Sequence, residues 1–340
     1  MTQQEIRSRA REVLAPRCRV CPECNGVACA GQAPGPGGKG QGRTFQRNVL
    51  YLRDRIKLHQ DVLDGCGEPD TGLTFLGQRI AAPIFAAPIG MVGLNWSDAL
   101  DEESYAEAVV TGTLDSGTLA FTGGGAVPES FFAPLEVLRR HGGQGIPTLK
   151  PWKMDLALER LALVEEAGCP AFAMDIDSGG LPHAAGAPEP VVPKTSDDLT
   201  QLARASALPF LVKGIMTPES ARRAAEAGVA GIIVSNHGGR VLDDGLSTAE
   251  VLPEIRKAVG SSLMILVDGG VRSGADAFKM LALGADAVLV GRPYAIAAYG
   301  GGREGVSLYT ARLISELRDA MVMTGCHCLG DIDDRRICLV

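Results

Sequence analysis

From Pro83 onward the chain alternates short apolar runs with longer stretches in which apolar positions recur every three or four residues. A run such as Gly231-Ile232-Ile233-Val234 has no polar position to face water. It predicts a strand buried on both faces, as in a parallel sheet. Strands are expected at Ile84–Ala87, Thr118–Phe121, Pro147–Lys150, Phe172–Ile176, Phe210–Lys213, Gly231–Ser235, Met264–Asp268 and Ala287–Val290. Helical periodicity falls between them, at Ser97–Gly112 with Ser97 as N-cap, Pro128–His141, Asp155–Gly168, Ser196–Ser206, Thr217–Gly228, Thr248–Gly260 and Ser273–Gly284, with a last helix at Val306–Met323. Several of these open on Ser, Thr or Asp and close on Gly, as helix boundaries do. Eight such units in succession are what a (β/α)8 TIM barrel requires. A doubly wound open sheet is the alternative, but Ala87-Pro88-Ile89-Gly90 after the first strand is not its glycine-rich fingerprint.

Ahead of the barrel, residues 1–72 form an N-terminal Cys- and Gly-rich extension that packs on or lids residues 73–340. A helix is expected over residues 3–14. Cys18, Cys21, Cys24 and Cys29 follow in a C-x2-C-x2-C-x4-C run, close to but not the same as a ferredoxin spacing. Three readings fit: thiolates for an iron–sulfur cluster or zinc, a redox or disulfide set, or structural thiols. Cys326 and Cys328 could join them if the termini meet. Pro34–Gly42 is glycine-rich, but Lys39 is not followed by Ser or Thr, so a flexible lid or linker is expected rather than a P-loop. Thr44–Leu58 resumes as an ordered segment. Leu73–Ile80 reads as a hairpin turning at Gly77-Gln78 and laid across one end of the barrel.

Composition narrows the function. The net charge of −7 argues against a nucleic-acid partner held by bulk electrostatics. The start, Met1-Thr2-Gln3-Gln4-Glu5, is not a signal peptide. Ile80–Leu94 is apolar but broken by Pro and Gly, so no membrane span is expected. Nine cysteines, an odd and clustered set, do not suit a secreted disulfide framework. A cytoplasmic protein is expected.

In a barrel the C-terminal strand ends share one face, and that face carries the chemistry. Here it collects Pro88 and Gly90, Thr122 and Gly123, Lys150, Asp177, Lys213, His237, Arg240, Asp268-Gly269-Gly270-Val271-Arg272 and Gly291-Arg292. His237 is a base suited to neutral pH. Arg240 is a fork for a carboxylate or phosphate. The bland alternative is a locally satisfied loop histidine beside a solvated arginine. The glycines and arginines after the seventh and eighth strands predict a phosphorylated cofactor.

The stretch Val234-Ser235-Asn236-His237-Gly238-Gly239-Arg240, with Leu211-Val212-Lys213-Gly214-Ile215, Asp268–Gly274, Leu281–Ala285, Gly291-Arg292-Pro293 and Met323–Cys326, resembles the FMN-dependent α-hydroxy-acid oxidase and dehydrogenase family, which includes glycolate and lactate oxidases. Weaker likeness reaches back through Ala86–Met91 to Thr44–Asn48. The resemblance implies that His237 takes a proton from substrate as a hydride equivalent reaches the flavin. It implies that Arg240 clamps the substrate carboxylate, Lys213 stabilises the reduced ring, and Asp177 pairs with His237. Pro88, Ile89 and Gly90 would back the ring, with Thr122, Lys150, Asp175 and Ser235 also at the cofactor. Asp268, Gly269, Gly270, Arg272, Gly291 and Arg292 would hold its phosphate. A homotetramer acting on a small molecule is implied, with oxygen, a quinone or a protein as electron acceptor.

Departures accompany the match. Pro34 or a neighbour stands where the family has a substrate-binding tyrosine. Lys150 and Trp152 replace a glutamine and a tyrosine, which makes Trp152 a substrate contact, and Asp175 replaces a threonine. No second arginine occurs in Asp177–His183. An ion pair between Lys150 and Asp175 is expected. The substrate is then a 2-hydroxy acid or a related hydroxylated compound. The competing readings are a flavin isomerase of the type 2 isopentenyl diphosphate isomerase kind and a non-catalytic flavin or thiol redox sensor.

Overall fold

The structure is a computed structural model that describes residues 1–63, 65, 67–181 and 187–340. Eight parallel strands form the centre: β1 Ile84–Ala86, β2 Phe121–Thr122, β3 Ile146–Leu149, β4 Phe172–Asp175, β5 Phe210–Ile215, β6 Gly231–Val234, β7 Met264–Val267 and β8 Ala287–Val290. They neighbour one another in chain order, and β8 returns to β1. A parallel bridge between Ala86 and Ala120 closes the ring. The helices are α1 Glu102–Asp115, α2 Glu129–Arg140, α3 Met154–Glu166, α4 Ser196–Ala205, α5 Pro218–Glu226, α6 Thr248–Val259, α7 Gly274–Ala282 and α8 Arg292–Met323. The expected barrel is the observed one.

Strand alternation splits the apolar residues into two cores. Phe85, Phe121, Ile146, Ala173, Leu211, Ile233, Leu266 and Leu289 fill the barrel. Ile84, Leu149, Phe172, Val212, Val234, Val267 and Val288 pack outward beneath the helices. The same period of two carried to the C-terminal ends puts Lys150, Asp175, Lys213, Ser235 and Asp268 on the inward parity. All five are buried. A layer of charge therefore caps an apolar barrel.

Several boundaries differ from expectation. α1 starts at Glu102, capped by Asp101, which accepts from the Ser104 amide at 2.8 Å. Ser97 instead accepts from the Ala99 amide at 3.3 Å, so it closes a local turn and leaves α1 without that residue. α8 begins at Arg292, well before Val306, because the helix runs through Gly300-Gly301-Gly302 with a break at Gly302, φ 55°. The hairpin pairs Leu73–Phe75 with Gln78–Ile80. Its turn is Leu76-Gly77, both at positive φ, as a two-residue hairpin turn requires. Phe75 packs on Phe85 at 4.7 Å and seals the lower mouth.

The N-terminal helix Gln3–Leu14 has a Thr2/Glu5 capping box and buries Ile6, Ala10 and Leu14. A second helix, Arg43–Leu50, lies at the upper mouth. There the Asn48 amide exchanges hydrogen bonds with Asn236 at 2.8 and 2.9 Å. Ile56–Leu58 pairs antiparallel with Ile337–Leu339, and Cys326 and Cys328 sit at that carboxy-terminal end. Cys66 lies outside the described residues. Among the described residues no helix is long and apolar enough to cross a membrane.

Candidate active site

Lys150 and Asp175 stand at the ends of β3 and β4 and pair at 2.6 Å, as the sequence suggested. Asp175 is also the cross-strand partner of Lys213 on β5. Lys213 reaches Asp268 at 3.6 Å, and the Ser235 hydroxyl donates to the same carboxylate at 2.9 Å. Burial is the largest influence on Lys213 and acts to lower its pKa. Asp268, Asp177 and Asp175 together overcome it and raise the pKa above the ordinary lysine value, so the ammonium stays charged. One oxygen each of Asp175, Asp177 and Asp268 is buried without a hydrogen-bond partner.

The β6 loop carries the base. His237 sits in the left-handed region, φ 55°, an uncommon place for a side-chain-bearing residue. Its backbone N–H donates to the Ser235 hydroxyl at 3.1 Å. Nδ1 meets the Asp177 carboxylate at 2.8 Å. That contact assigns Nδ1–H as the donor and leaves Nε2 as the free ring nitrogen. Burial, then the charges of Lys213, Lys150 and Arg240, hold His237 well below the ordinary histidine value. The ring is neutral at pH 7. Burial raises Asp177, against the pull of Lys213 and Lys150. Gly214, at φ 107° beside an irregularity in β5, makes this pairing fit: a Cβ there would lie 2.8 Å from the Cβ of Asp177. Asp175, Asp177 and His237 bring ligand-type atoms within 4.8 Å of one another. Their hydrogen bond and the two lysines account for that cluster without a cation.

Arg240 is partly buried, and the loss of solvent around it lowers its pKa to about 10. Its fork donates to the Gly35 carbonyl and to the Asn95 side-chain oxygen, the latter at 2.8 Å. Arg292 donates to the carbonyls of Pro36, Gly37 and Gly238 at 2.6, 3.0 and 3.1 Å. Its guanidinium lies 3.7 Å from the centre of the Phe45 ring. The Pro34–Gly42 segment therefore lies over the mouth. Lys39 fastens it there, donating to the Gly180 and Val241 carbonyls at 3.0 Å each.

One cavity gathers most of the expected residues: Pro88, Ile89 and Gly90, Lys150, Asp175, Lys213, His237, Arg240, Asp268–Gly270, Arg272, Gly291 and Arg292. Asp177 and Ser235 support it from behind. Two residues do not reach it. Trp152 is fully buried in the helical layer, its ring 5.8 Å from Phe131 and edge-on to it. The tight turn joining the Trp152 amide to the Lys150 carbonyl at 2.8 Å sends that side chain away from the mouth, so the expected substrate contact is corrected. Thr122 is buried too, and Gly123 and Gly124 line the cavity in its place. Pro182 and His183 lie outside the described residues.

Sequence reasoning missed Asn95, Met91, Trp96 and Leu181 in the cavity wall. Asn95 also accepts from the Gly35 amide at 3.2 Å and donates to the Gly90 carbonyl at 3.2 Å. A polar residue left buried in an otherwise apolar helical turn, Val92–Asn95, was the available signal.

The cavity suits FMN. Gly269 and Gly270 hold positive φ, and a Cβ on Gly270 would lie 2.1 Å from the Asn48 carbonyl oxygen, so only glycine keeps this loop. Arg272 and Arg292 stand beside it, giving the donors an anionic phosphate requires. Lys213 and Lys150 supply charge at the barrel axis, where a flavin ring held by the β1 loop would end.

Comparison with known proteins agrees. The sequence matches the FMN-dependent dehydrogenase family over residues 35–184 and 188–339. It is 33% identical to an L-lactate dehydrogenase of Caulobacter vibrioides, over 88% of this chain and 90% of that one. It is 32% identical to an L-lactate oxidase of Nostoc sp., over 87% and 90%. A solved structure of a mandelate oxidase variant with an FMN adduct superposes with a TM-score of 0.80 at 31% identity, over 99% of each chain. The chain belongs to the FMN-dependent dehydrogenase family and is an FMN-dependent oxidoreductase of the α-hydroxy-acid oxidase and dehydrogenase kind.

Proposed function

We propose that the enzyme oxidises a small 2-hydroxy acid, with lactate and mandelate, named for its relatives, as the first candidates. The observation that carries the reading is the His237–Asp177 contact of 2.8 Å with Arg240 in the same cavity wall. FMN supplies the two-electron acceptor. His237, neutral and with Nε2 free, takes the proton released from the substrate hydroxyl or α-carbon. Asp177 holds the ring in the productive tautomer and stabilises the imidazolium that forms. Arg240 binds the substrate carboxylate, exchanging the Gly35 carbonyl for it. Lys213 opposes the negative charge that gathers on the reduced ring. Met91, Trp96 and Leu181 give the substrate's side chain an apolar wall.

The lost tyrosine and second arginine leave Arg240 and Asn95 as the polar contacts for the carboxylate. This favours a substrate whose anion is gripped at one side. We further propose residues 1–72 as an extension whose Pro34–Gly42 segment lids the cavity, and a cytoplasmic homo-oligomer as the working form. The assay is anaerobic addition of L-lactate or mandelate to the FMN-loaded protein, following the visible flavin band. Bleaching is expected. A protein whose flavin is reduced by dithionite but by no hydroxy acid would refute the reading.

A further inference from the structure

The N-terminal cysteines play no part in the chemistry above. Cys18, Cys21, Cys24 and Cys29 all line a second cavity, and all four are free thiols. Of the other described cysteines, Cys169 is buried in the helical layer, and Cys326, Cys328 and Cys338 belong to the carboxy-terminal end. We infer that these four thiols bind an iron–sulfur cluster that carries electrons out of the flavin site.

Charge around the cavity is the first argument. Arg17, Arg19 and Arg292 line it and, among the described residues, no carboxylate does, in a chain of net charge −7. A centre held by four thiolates is an anion, and such a wall compensates it. The loop backbone is fastened by more arginines. Arg11 donates to the Arg19 and Val20 carbonyls at 3.2 and 3.1 Å, and Arg7 to the Val20 carbonyl at 3.3 Å. The Val20 amide points at the Cys18 sulfur at 3.4 Å, the kind of N–H···S contact that tunes a cluster.

Spacing of the sulfurs is the second argument. Tetrahedral zinc with Zn–S near about 2.3 Å needs sulfurs about 3.8 Å apart. Among the described residues no three thiol sulfurs lie within 4.8 Å of one another. All four thiols nevertheless line the one cavity, as a centre that takes one thiolate on each iron requires.

Position is the third. Trp96 and Arg292 line both this cavity and the flavin cavity. Arg272, beside the flavin phosphate loop, donates to the Cys24 carbonyl at 3.0 Å. The two sites share a wall. Oxidation of one hydroxy acid to its keto acid releases two electrons and two protons. The protons leave through His237 to solvent. The electrons pass one at a time through the cluster to an acceptor protein carrying a one-electron centre, two such acceptors being reduced per turnover. This relay, unlike the cluster itself, rests on the proposed hydroxy-acid oxidation.

The test begins with wild-type holoenzyme purified without oxygen and analysed for iron, zinc and acid-labile sulfide, with electron paramagnetic resonance after dithionite. About four iron and four sulfide per chain and a reduced-cluster signal are expected. Stoichiometric zinc, a disulfide among the four, or no iron after reconstitution with ferrous iron and sulfide would overturn the site. A Cys21→Ser/Cys24→Ser variant should lose the iron and keep FMN and flavin bleaching, while Cys338→Ser keeps all three. With cytochrome c as acceptor, turnover in the double variant should fall at least tenfold. Unchanged turnover would overturn the relay. Iron without bleaching in the wild type would refute the hydroxy-acid reading and leave the cluster standing; bleaching without iron would do the reverse.

Discussion

Replacing Asp177 by asparagine keeps the shape of the side chain and removes its charge. Asp177 meets His237 Nδ1 at 2.8 Å, and its carboxylate matters most when the ring becomes cationic. At an effective dielectric near about 20, opposite charges this close attract by about 6 kcal/mol, an upper bound. A hydrogen bond to a charged group is worth about 1.5–3 kcal/mol. The two overlap, so the imidazolium is stabilised by about 3–5 kcal/mol, or about 10²–10⁴ in the rate of substrate oxidation. Asparagine can also present its NH₂ to Nδ1 and favour the wrong tautomer, which pushes the loss toward the upper figure. The assay is the anaerobic single-turnover rate of flavin reduction, with the dissociation constant of a non-reacting carboxylate measured beside it. The rate should fall by that factor and the dissociation constant should stay within about threefold, because Arg240, not Asp177, holds the anion. A rate loss under tenfold, or a loss confined to carboxylate affinity, would refute the pairing as part of the chemistry.

The downward shift of His237 keeps the base neutral below its ordinary pKa of about 6.5, so kcat/KM should stay level from pH 8 to about 6.5 and fall only below that; an acid limb centred higher would contradict it. The same shift costs stability in acid, because the unfolded chain takes up the proton first, and thermal melts should drop as pH falls through about 6.5. Lys150→Met should strand Asp175 in a buried layer and cost about 3–5 kcal/mol in urea denaturation, whereas Lys150→Met with Asp175→Thr should recover most of it; equal losses in both would deny the pair. Arg240→Lys should keep the charge and lose the fork, lowering kcat/KM by about 10–100-fold mainly through KM, and a change confined to kcat would count against the clamp. Glu250→Ala should remove the capping box of α6 and the half-exposed Arg47 partner, read as about 1–2 kcal/mol in a thermal melt.

The barrel was legible because each strand is a short apolar run between turn residues, and each helix is amphipathic. The charged layer was legible from the same period. Lys150, Asp175, Lys213, Ser235 and Asp268 end strands whose inward parity is set by Ile146, Ala173, Leu211, Ile233 and Leu266. What escaped depends on contacts made far along the chain. Nothing local marks the Gly35 carbonyl as the partner of Arg240 across 205 positions, or Asn95 as the joint between Arg240 and the glycine-rich segment. Trp152 was misplaced because the resemblance sets it where the family has a tyrosine, whereas the turn at Pro151 sends its side chain into the helical layer. Ser97 was misread because a serine caps a turn as readily as a helix. The Gly300–Gly302 run hid the first half of α8, since glycine weakens every helical signal while the helix itself survives on packing.

The most direct test of the central claim is anaerobic mixing of the FMN-loaded enzyme with L-lactate or mandelate, comparing wild type with His237→Gln. The wild-type flavin band should bleach and the corresponding keto acid should form, while His237→Gln should bind the same acid and bleach at least a thousandfold more slowly, about 4 kcal/mol in barrier. Equal bleaching rates in the two proteins would contradict the assignment of His237 as the base around which the site is built.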